Sequence, residues 1–346
     1  MKRDGQKKLP LLLVCFLTLS LAPVFFSWDD NQYQSAASEL PIQLLSHKVE
    51  VIRDAWQDKL RQREVPAKIY YPVGLKGSAP VAIFSHGLGG SREGYEYLGR
   101  FWAENGLISV HLQHPGSDEA TWKGKKDPLA EMRKAAANIA NALDRAKDVS
   151  FALDTLEKIN VQEGPLKGLI DLQKIGLAGH SFGAHTTLLI AGQRVLLPGG
   201  RELSFDDKRI KAAIPMSAPV PLNRRNLDKV YGAISIPCFH MTGTLDDSPI
   251  GETQAEERRI PFDHIKNSDQ YLVIFKEGDH MIFSGRPRLT GIWRRGEKDE
   301  QFQEMIKKLS LVFWKAYLEG NKEAQKWLRE GGPQKLLNGL ASFEYK

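Results

Sequence analysis

The chain has 346 residues, of which 42% are hydrophobic and 26% charged, and this composition excludes disordered, collagen-like and coiled-coil proteins. The length is sufficient for a large hydrophobic core. The formal net charge is +6, but the first eight residues, MKRDGQKK, supply three of these charges, four basic residues against one acidic residue. The remaining excess of about three charges does not indicate a nucleic-acid-binding protein.

Residues 1–27 have the pattern of a secretory signal peptide. The basic start precedes an uncharged apolar stretch from Leu9 to Phe26, which is the order of charge and hydropathy in such peptides. The same stretch is just long enough to span a bilayer, so an uncleaved anchor and membrane association through residues 9–26 stay open. We expect an exported protein, periplasmic or secreted, in which residues 28–44 form a linker.

Apolar runs typical of strands alternate with longer helical patterns over residues 45–346. The predicted strands are Val49–Arg53, Ala67–Tyr71, Val81–Ser85, Ile108–His111, Ile175–Ala178, Ala212–Met216, Cys238–Thr242 and Tyr271–Phe275. The predicted helices are Tyr95–Asn105, Leu129–Ile159, Phe182–Val195 and Gln301–Leu318.

This alternation predicts an α/β protein, with a mostly parallel, doubly wound sheet of about eight strands and flanking helices. The runs from Val81 onward are mostly continuous, as expected of strands covered on both faces. The first two strands, joined through DKLRQRE, predict an antiparallel hairpin. We expect residues 45–346 to form a single domain that ends in a helical segment. Two polar segments, 116–128 and 245–268, are interpreted either as binding loops or lids, or as solvated surface.

The stretch GHSFG at residues 179–183 lies where a strand pattern changes to a helix pattern, with Ser181 at the corner. A strained corner of this kind leaves no room for side chains two residues before and after the serine, which explains the two glycines. Ligands bind at the carboxyl ends of parallel strands, and the start of the helix directs its N–H groups there. We therefore predict that Ser181 is a nucleophile.

A serine hydroxyl needs a base, and the base needs an acid that orients it. LDDSP at residues 245–249 follows one later strand, and Asp279-His280 follows the next, in the order serine, acid, histidine that this architecture requires. We predict His280 as the base and Asp246 as the acid. Asp247 is the alternative acid, because only one of two adjacent carboxylates in a turn can point inward. Asp279 is poorly suited, since it directly precedes His280.

The glycine-rich stretch FSHGLGG, residues 84–90, is predicted to form half of an oxyanion hole. The two donors are expected to be the N–H groups of Leu88 and Phe182. His180 and His185 flank the nucleophile and are predicted to be structural. Large apolar side chains near strand ends either line an acyl pocket or belong to the core: Trp102, Trp122, Met216, Met281 and Phe283.

No cofactor and no metal is expected. No predicted strand is followed by a phosphate-binding glycine motif, and the nine histidines and two cysteines have no metal-ligand spacing. Cys15 lies in the leader, so Cys238 has no partner for an internal disulfide.

Several motifs resemble the α/β-hydrolase superfamily. SHGLGG, GHSFGAHT, TGTLDDSP, EGDHMIFSG and the AKDVSFALDTL helix are most similar to its dienelactone-hydrolase-like and platelet-activating-factor-acetylhydrolase-like branch, over about residues 45–320. The resemblance implies the α/β-hydrolase fold, and by position it implies nucleophile, acid, base and oxyanion roles for Ser181, Asp246, His280, Leu88 and Phe182 respectively. Dienelactone hydrolases use a cysteine nucleophile, so the serine argues against their lactone chemistry. Ala184 stands where many relatives carry glycine.

These residues predict a serine hydrolase that cleaves carboxylic esters, small or lipid-like, through an acyl-enzyme intermediate. Amide hydrolysis or acyl transfer by the same three residues is one alternative. The other is a non-catalytic binding protein built on the same fold.

Overall fold

The computed structural model describes residues 40–251, 253–285, 296 and 298–346. The predicted signal peptide or anchor, residues 1–27, lies outside the described residues, as does most of the predicted linker. Within that linker, Leu40, Ile42 and Leu44 pack against the hydrophobic core. Over the part of the chain that is described, no helix combines the length and the apolar character needed to cross a bilayer.

In the described residues, nine strands form one mostly parallel sheet. The strands are β1 (Val49–Asp58), β2 (Arg63–Pro72), β3 (Ala79–Ser85), β4 (Ile108–Leu112), β5 (Ile170–His180), β6 (Ile210–Met216), β7 (Cys238–Leu245), β8 (Gln270–Asp279) and β9 (Ala341–Tyr345). Their order across the sheet is β1-β2-β4-β3-β5-β6-β7-β8-β9. The central strands β4, β3, β5, β6, β7 and β8 run parallel. The predicted hairpin of β1 and β2 is antiparallel.

Helices cover both faces of the sheet. They are α1 (Glu96–Glu104), α2 (Pro128–Ala137), α3 (Ile139–Ile159), α4 (Phe182–Ala191), α5 (Leu227–Tyr231), α6 (Ile260–His264), α7 (Asp299–Tyr317), α8 (Lys322–Arg329) and α9 (Gly332–Leu337). Single-turn 3₁₀ helices lie at Glu119–Thr121, Pro198–Gly200 and Ala255–Arg259. Val195–Leu196 and Glu202–Leu203 pair as a separate short hairpin.

Two predicted helices were wrong in extent. The predicted helix Leu129–Ile159 is broken at Asn138, which has extended backbone angles (φ −80°, ψ 103°) and caps α3 by accepting a hydrogen bond from the N–H of Ala140. The predicted helix Phe182–Val195 ends at Ala191. Gly192, with φ 126°, stops it in a conformation that other residues rarely adopt.

The C-terminal segment is not helical throughout. After α9 the chain forms β9, which pairs antiparallel with β8 and places Phe343 opposite Val273. The hydrophobic pattern of so short a strand does not separate it from a loop, so β9 was missed.

The core lies on both faces of the sheet, because successive strand side chains alternate between the faces. All seven residues of β3 are buried. Ala82 and Phe84 belong to a cluster that includes residues of α1 and α7, whereas Val81 and Ile83 belong to a cluster with residues of α3. The carboxyl ends of β3, β5, β7 and β8 meet at one edge of the sheet, where the candidate residues lie.

Candidate active site

Ser181 stands at a strained turn between β5 and α4. Its backbone angles are φ 55° and ψ −118°, in a region that non-glycine residues rarely occupy. The turn is held by a 2.8 Å hydrogen bond from the Ser181 N–H to the carbonyl of Met216. A Cβ atom on Gly179 would overlap the backbone of Gly183. The glycines are therefore required by crowding, as the sequence pattern predicts.

His280 and Asp246 form a buried pair. The Nδ1 atom of His280 lies 2.7 Å from Oδ1 of Asp246, and Asp246 is completely buried. The other carboxylate oxygen accepts hydrogen bonds from Ser217 Oγ at 2.5 Å and Thr242 Oγ1 at 2.7 Å. Burial alone would raise the pKa of Asp246, but His280, Arg258 and the Ser217 hydroxyl stabilise the carboxylate and hold its pKa below the usual value.

The two other carboxylates near the pair make different contacts. Asp247 is exposed, and its Oδ1 accepts the N–H of Ala255 at 2.9 Å. The Oδ1 atom of Asp279 accepts the N–H of Met281 at 2.9 Å. The structure thus brings Asp246, rather than Asp247, to the imidazole of His280.

Arg258, which the sequence did not suggest, also contacts the acid. It lies in the 3₁₀ helix Ala255–Arg259, and its side chain is 1% exposed. The Nε atom lies 2.7 Å from the carbonyl oxygen of Asp246 and 3.1 Å from its Oδ1, while Nη1 donates to the carbonyl of Ser217 at 2.6 Å. Segment 245–268 is therefore anchored in the site, and its interpretation as solvated surface was wrong at this position.

His180, directly before Ser181, connects three parts of the site. Its Nδ1 accepts a hydrogen bond from the hydroxyl of Tyr95 at 2.9 Å, and the oxygen of that hydroxyl accepts the N–H of Gly87 at 3.4 Å. Its Nε2 donates to the carbonyl of His280 at 2.9 Å, and the two imidazole rings are 4.6 Å apart. Burial, reinforced by the charge of Arg258, holds the pKa of His180 well below its usual range. A neutral His180 thus positions the loop of His280 next to the turn of Ser181.

The loop carrying Leu88 lies against the turn of Ser181. A Cβ atom on Gly87 would come within 3.4 Å of the Cβ of Ser181. The loop is held from the other side by segment 116–128: Gly89 N–H donates to the Ser117 carbonyl at 2.9 Å, and Trp122 Nε1 donates to the Gly89 carbonyl at 2.8 Å. Segment 116–128 therefore supports this loop.

Arg145 joins both halves of the predicted oxyanion hole. This fully buried side chain donates through Nε to Thr186 Oγ1 of α4 at 3.0 Å and through Nη2 to Ser85 Oγ, at the end of β3, at 3.1 Å. It also donates to the carbonyl of His86, and its guanidinium lies 4.8 Å from the ring centre of Phe182. The first N–H of a helix has no partner within the helix, so the N–H of Phe182 needs a partner from outside α4.

A buried network lies behind Arg145. The Nε2 atom of His114 is 2.9 Å from Ser85 Oγ, and its Nδ1 is 3.0 Å from Oδ2 of Asp148. Asp148 also accepts from Arg61 and Arg63, each at 2.8 Å. Burial lowers the pKa of His114 to about 4. This neutral histidine therefore supports the strand end by hydrogen bonding.

Of the other residues singled out near the strand ends, some lie in the core and some lie beside the candidate site. Trp102 and Met216 are fully buried in the core, where Trp102 Nε1 donates to Ser310 Oγ, so the core alternative applies to these two side chains. Phe283 packs beside His180 with ring centres 5.6 Å apart. The ring of His185 lies beside that of Phe182, and burial lowers its pKa to about 4. Among the described residues, no cluster of three His, Cys, Asp or Glu side chains is placed to hold a metal.

The strand order and the serine at a sharp strand-to-helix turn define the α/β-hydrolase fold. The predicted fold class is confirmed. The chain belongs to the family described as platelet-activating factor acetylhydrolase, isoform II, whose sequence model matches residues 38–239. This match confirms the predicted branch of the superfamily.

Individual relatives are similar over most of the chain. A platelet-activating factor acetylhydrolase of the dog (Canis lupus familiaris) is 25% identical over 314 residues, covering 79% of this chain and 65% of the relative. That of the guinea pig (Cavia porcellus) is 25% identical over 315 residues, covering 79% and 66%. The chain thus matches slightly less than two thirds of the length of these relatives.

Proposed function

We propose that this protein is a serine hydrolase that cleaves carboxylic esters through an acyl-enzyme intermediate. The observation that carries the proposal is the strained turn of Ser181: the imidazole of its neighbour His180 lies 4.6 Å from that of His280, which is paired with the buried Asp246. A strained nucleophile turn is costly to maintain, and such strain is concentrated at functional sites. Membership of the acetylhydrolase family supports the same chemistry.

In the proposed mechanism, Asp246 accepts a hydrogen bond from the Nδ1–H group of His280, which leaves Nε2 unprotonated and able to act as a base. His280 takes the proton of the Ser181 hydroxyl as its oxygen attacks the ester carbonyl. The N–H groups of Leu88 and Phe182 stabilise the negative charge on the tetrahedral oxygen. His280 then protonates the leaving alcohol. In the second half, His280 takes a proton from a water molecule as it attacks the acyl-enzyme and returns that proton to the Ser181 oxygen as the carboxylic acid leaves.

The proposed substrates are short-chain acyl esters of lipid-like alcohols. The relatives are named for acetyl ester hydrolysis of platelet-activating factor, an ester of this class. Hydrolysis of amides and transfer of the acyl group to another alcohol would use the same residues, so a panel of acetyl ester, thioester and amide substrates is needed to define the preference.

The experiment compares the wild type with Ser181→Ala on p-nitrophenyl acetate and on platelet-activating factor. We expect the variant to lose at least about a thousandfold in kcat, while circular dichroism and thermal unfolding stay unchanged, because only a hydroxyl is removed. A fluorophosphonate probe should label the wild type at Ser181 and leave the variant unlabelled. Full turnover by the variant would exclude the proposed nucleophile, and a folded, unlabelled wild type would favour a binding protein.

A further inference from the structure

Arg258 places a buried positive charge within the predicted acid–base pair. Its Nε is 3.1 Å from the Asp246 carboxylate, and its Nη2 is 3.4 Å from Nδ1 of His280. Both the guanidinium and the protonated Nδ1 are hydrogen-bond donors, so they share one carboxylate and have no favourable contact with each other. A carboxylate that already neutralises an arginine gives less electrostatic support to an imidazolium ion.

The titratable side chains near His280 come from a small number of strand ends and one 3₁₀ helix. The described titratable groups around it are Asp246 after β7, Arg258 in the 3₁₀ helix, His180 at the end of β5, and its own neighbour Asp279. His180 is neutral because it is buried. Asp279 directs its Oδ1 to the N–H of Met281. Arg258 is therefore the cation nearest to the imidazole among the described residues.

We infer that Arg258 is a positioning residue that holds the Asp246 carboxylate in place and whose buried charge beside His280 extends activity to lower pH. This inference rests on the proposed function, because it assigns the charge a role only if His280 acts as the base. The hydrogen bonds from Arg258 to the carbonyls of Asp246 and Ser217 fix the distance between the cation and the carboxylate. The side chain of Arg258 thus supplies the positive charge and also fixes its distance from the carboxylate.

The direction of the effect follows from the chemistry of the base. Protonated His280 cannot accept the proton of Ser181, so kcat/KM falls on the acid side as the imidazole is protonated. A nearby cation opposes that protonation. Removal of the positive charge should therefore move the midpoint of the acid limb to higher pH by about one unit.

The experiment measures kcat/KM for p-nitrophenyl acetate from pH 5 to 9 in the wild type and in Arg258→Gln, Arg258→Met and Arg258→Lys. The two uncharged variants should shift the acid-limb midpoint upward, while the lysine variant, which keeps the charge, should stay within about 0.3 units of the wild type. At pH 8.5 the loss in the glutamine variant should be smaller than at pH 6. Thermal unfolding monitors the fold of each variant.

Three outcomes would overturn the inference. One is an equal loss of activity at every pH with an unchanged midpoint, which a purely structural role predicts. Another is the same midpoint shift in the lysine variant. The third is a failure of both uncharged variants to fold while the lysine variant folds, which would assign the charge to stability. An inert, unlabelled wild type would instead refute the proposed function itself, so the two failures are distinguishable.

Discussion

Gly183 approaches Ser85 so closely that a Cβ atom on the glycine would overlap the carbonyl oxygen of the serine. Ser85 ends β3 and leads into the loop of Leu88, whereas Gly183 follows the turn of Ser181. The backbones of the two halves of the predicted oxyanion hole are therefore in direct contact at Gly183.

Substitution Gly183→Ala should force these backbones apart. We expect the free energy of unfolding, measured in urea, to fall by roughly 1–3 kcal/mol, because the core cannot absorb the added methyl group. Esterase kcat should fall as well, since the distance between the two oxyanion donors increases. Gly320→Ala is the control for backbone strain without crowding, because φ there is +69° but an added Cβ meets nothing within 4 Å. Unchanged stability and activity in Gly183→Ala would contradict the close approach.

The two adjacent carboxylates after β7 should differ strongly in their effect on catalysis. We expect Asp246→Asn to lower kcat by about 10³–10⁴-fold, because an amide at this position no longer selects the productive tautomer of His280. Asp247→Asn should stay within about threefold of the wild type, since that side chain is exposed and contacts Ala255. Steady-state kinetics on both variants decides the assignment, and the opposite order of effects would make Asp247 the acid.

Arg145 should act on kcat more than on KM. Its guanidinium connects the end of β3 with α4, so its loss should loosen the oxyanion donors without changing substrate contacts. We expect Arg145→Met to lower kcat by about tenfold or more with KM nearly unchanged, and Arg145→Lys to recover only part of the loss. Ser117→Ala, which removes one of its acceptors at 2.9 Å, is a milder control. A variant with normal kcat and reduced stability would limit Arg145 to a role in folding.

Stability should fall as the pH drops from 6.5 towards 4. Burial lowers the pKa of four histidines to about 4, and these are His111, His114, His185 and His240. Between these values the unfolded chain binds protons that the folded protein does not, so protonation favours unfolding. Each histidine can contribute up to roughly 3 kcal/mol.

Urea unfolding at pH 7.5, 6 and 5 measures this slope. His240→Gln removes one of these titrating groups at a position that contacts Gln270 and Phe262. Its unfolding free energy should therefore depend less steeply on pH than that of the wild type between pH 6.5 and 4.5. Carboxylates with lowered pKa values change the unfolding free energy only below this pH range. An equal slope in the two proteins would contradict the buried, neutral state of His240.

Much of the fold and the outline of the candidate site could be predicted from the sequence. Continuous apolar runs such as Val81–Ser85 identify strands buried on both faces, and glycines at fixed distances from Ser181 identify a crowded turn. Each of these sequence patterns lies within a few consecutive residues and has one physical cause, which is burial on both faces for the strands and crowding for the turn. The prediction was weaker where two patterns merge, as at Asn138, because a helix end there changes only one residue's backbone.

The buried arginines that support the candidate site, Arg258 and Arg145, could not be predicted from the sequence with the same success. Arg258 lies in AEERR, where nothing distinguishes the buried arginine from its solvated neighbours. Arg145 left a readable signal, since it shares a helical stripe with the buried residues Val149, Ala152 and Leu156. A charged residue on an apolar stripe needs buried partners, but their identity depends on tertiary contacts.

Strand β9 closes the edge of the sheet beside β8, the strand that leads to His280. During synthesis, residues 341–345 emerge about 60 residues after the end of β8. At roughly 5–20 residues per second, the ribosome needs several seconds to reach them. For that interval β8 presents unpaired backbone groups, and nascent chains on one messenger RNA are exposed to pairing with each other. The edge beside the strand that leads to His280 is thus closed only after about 60 further residues have been synthesised.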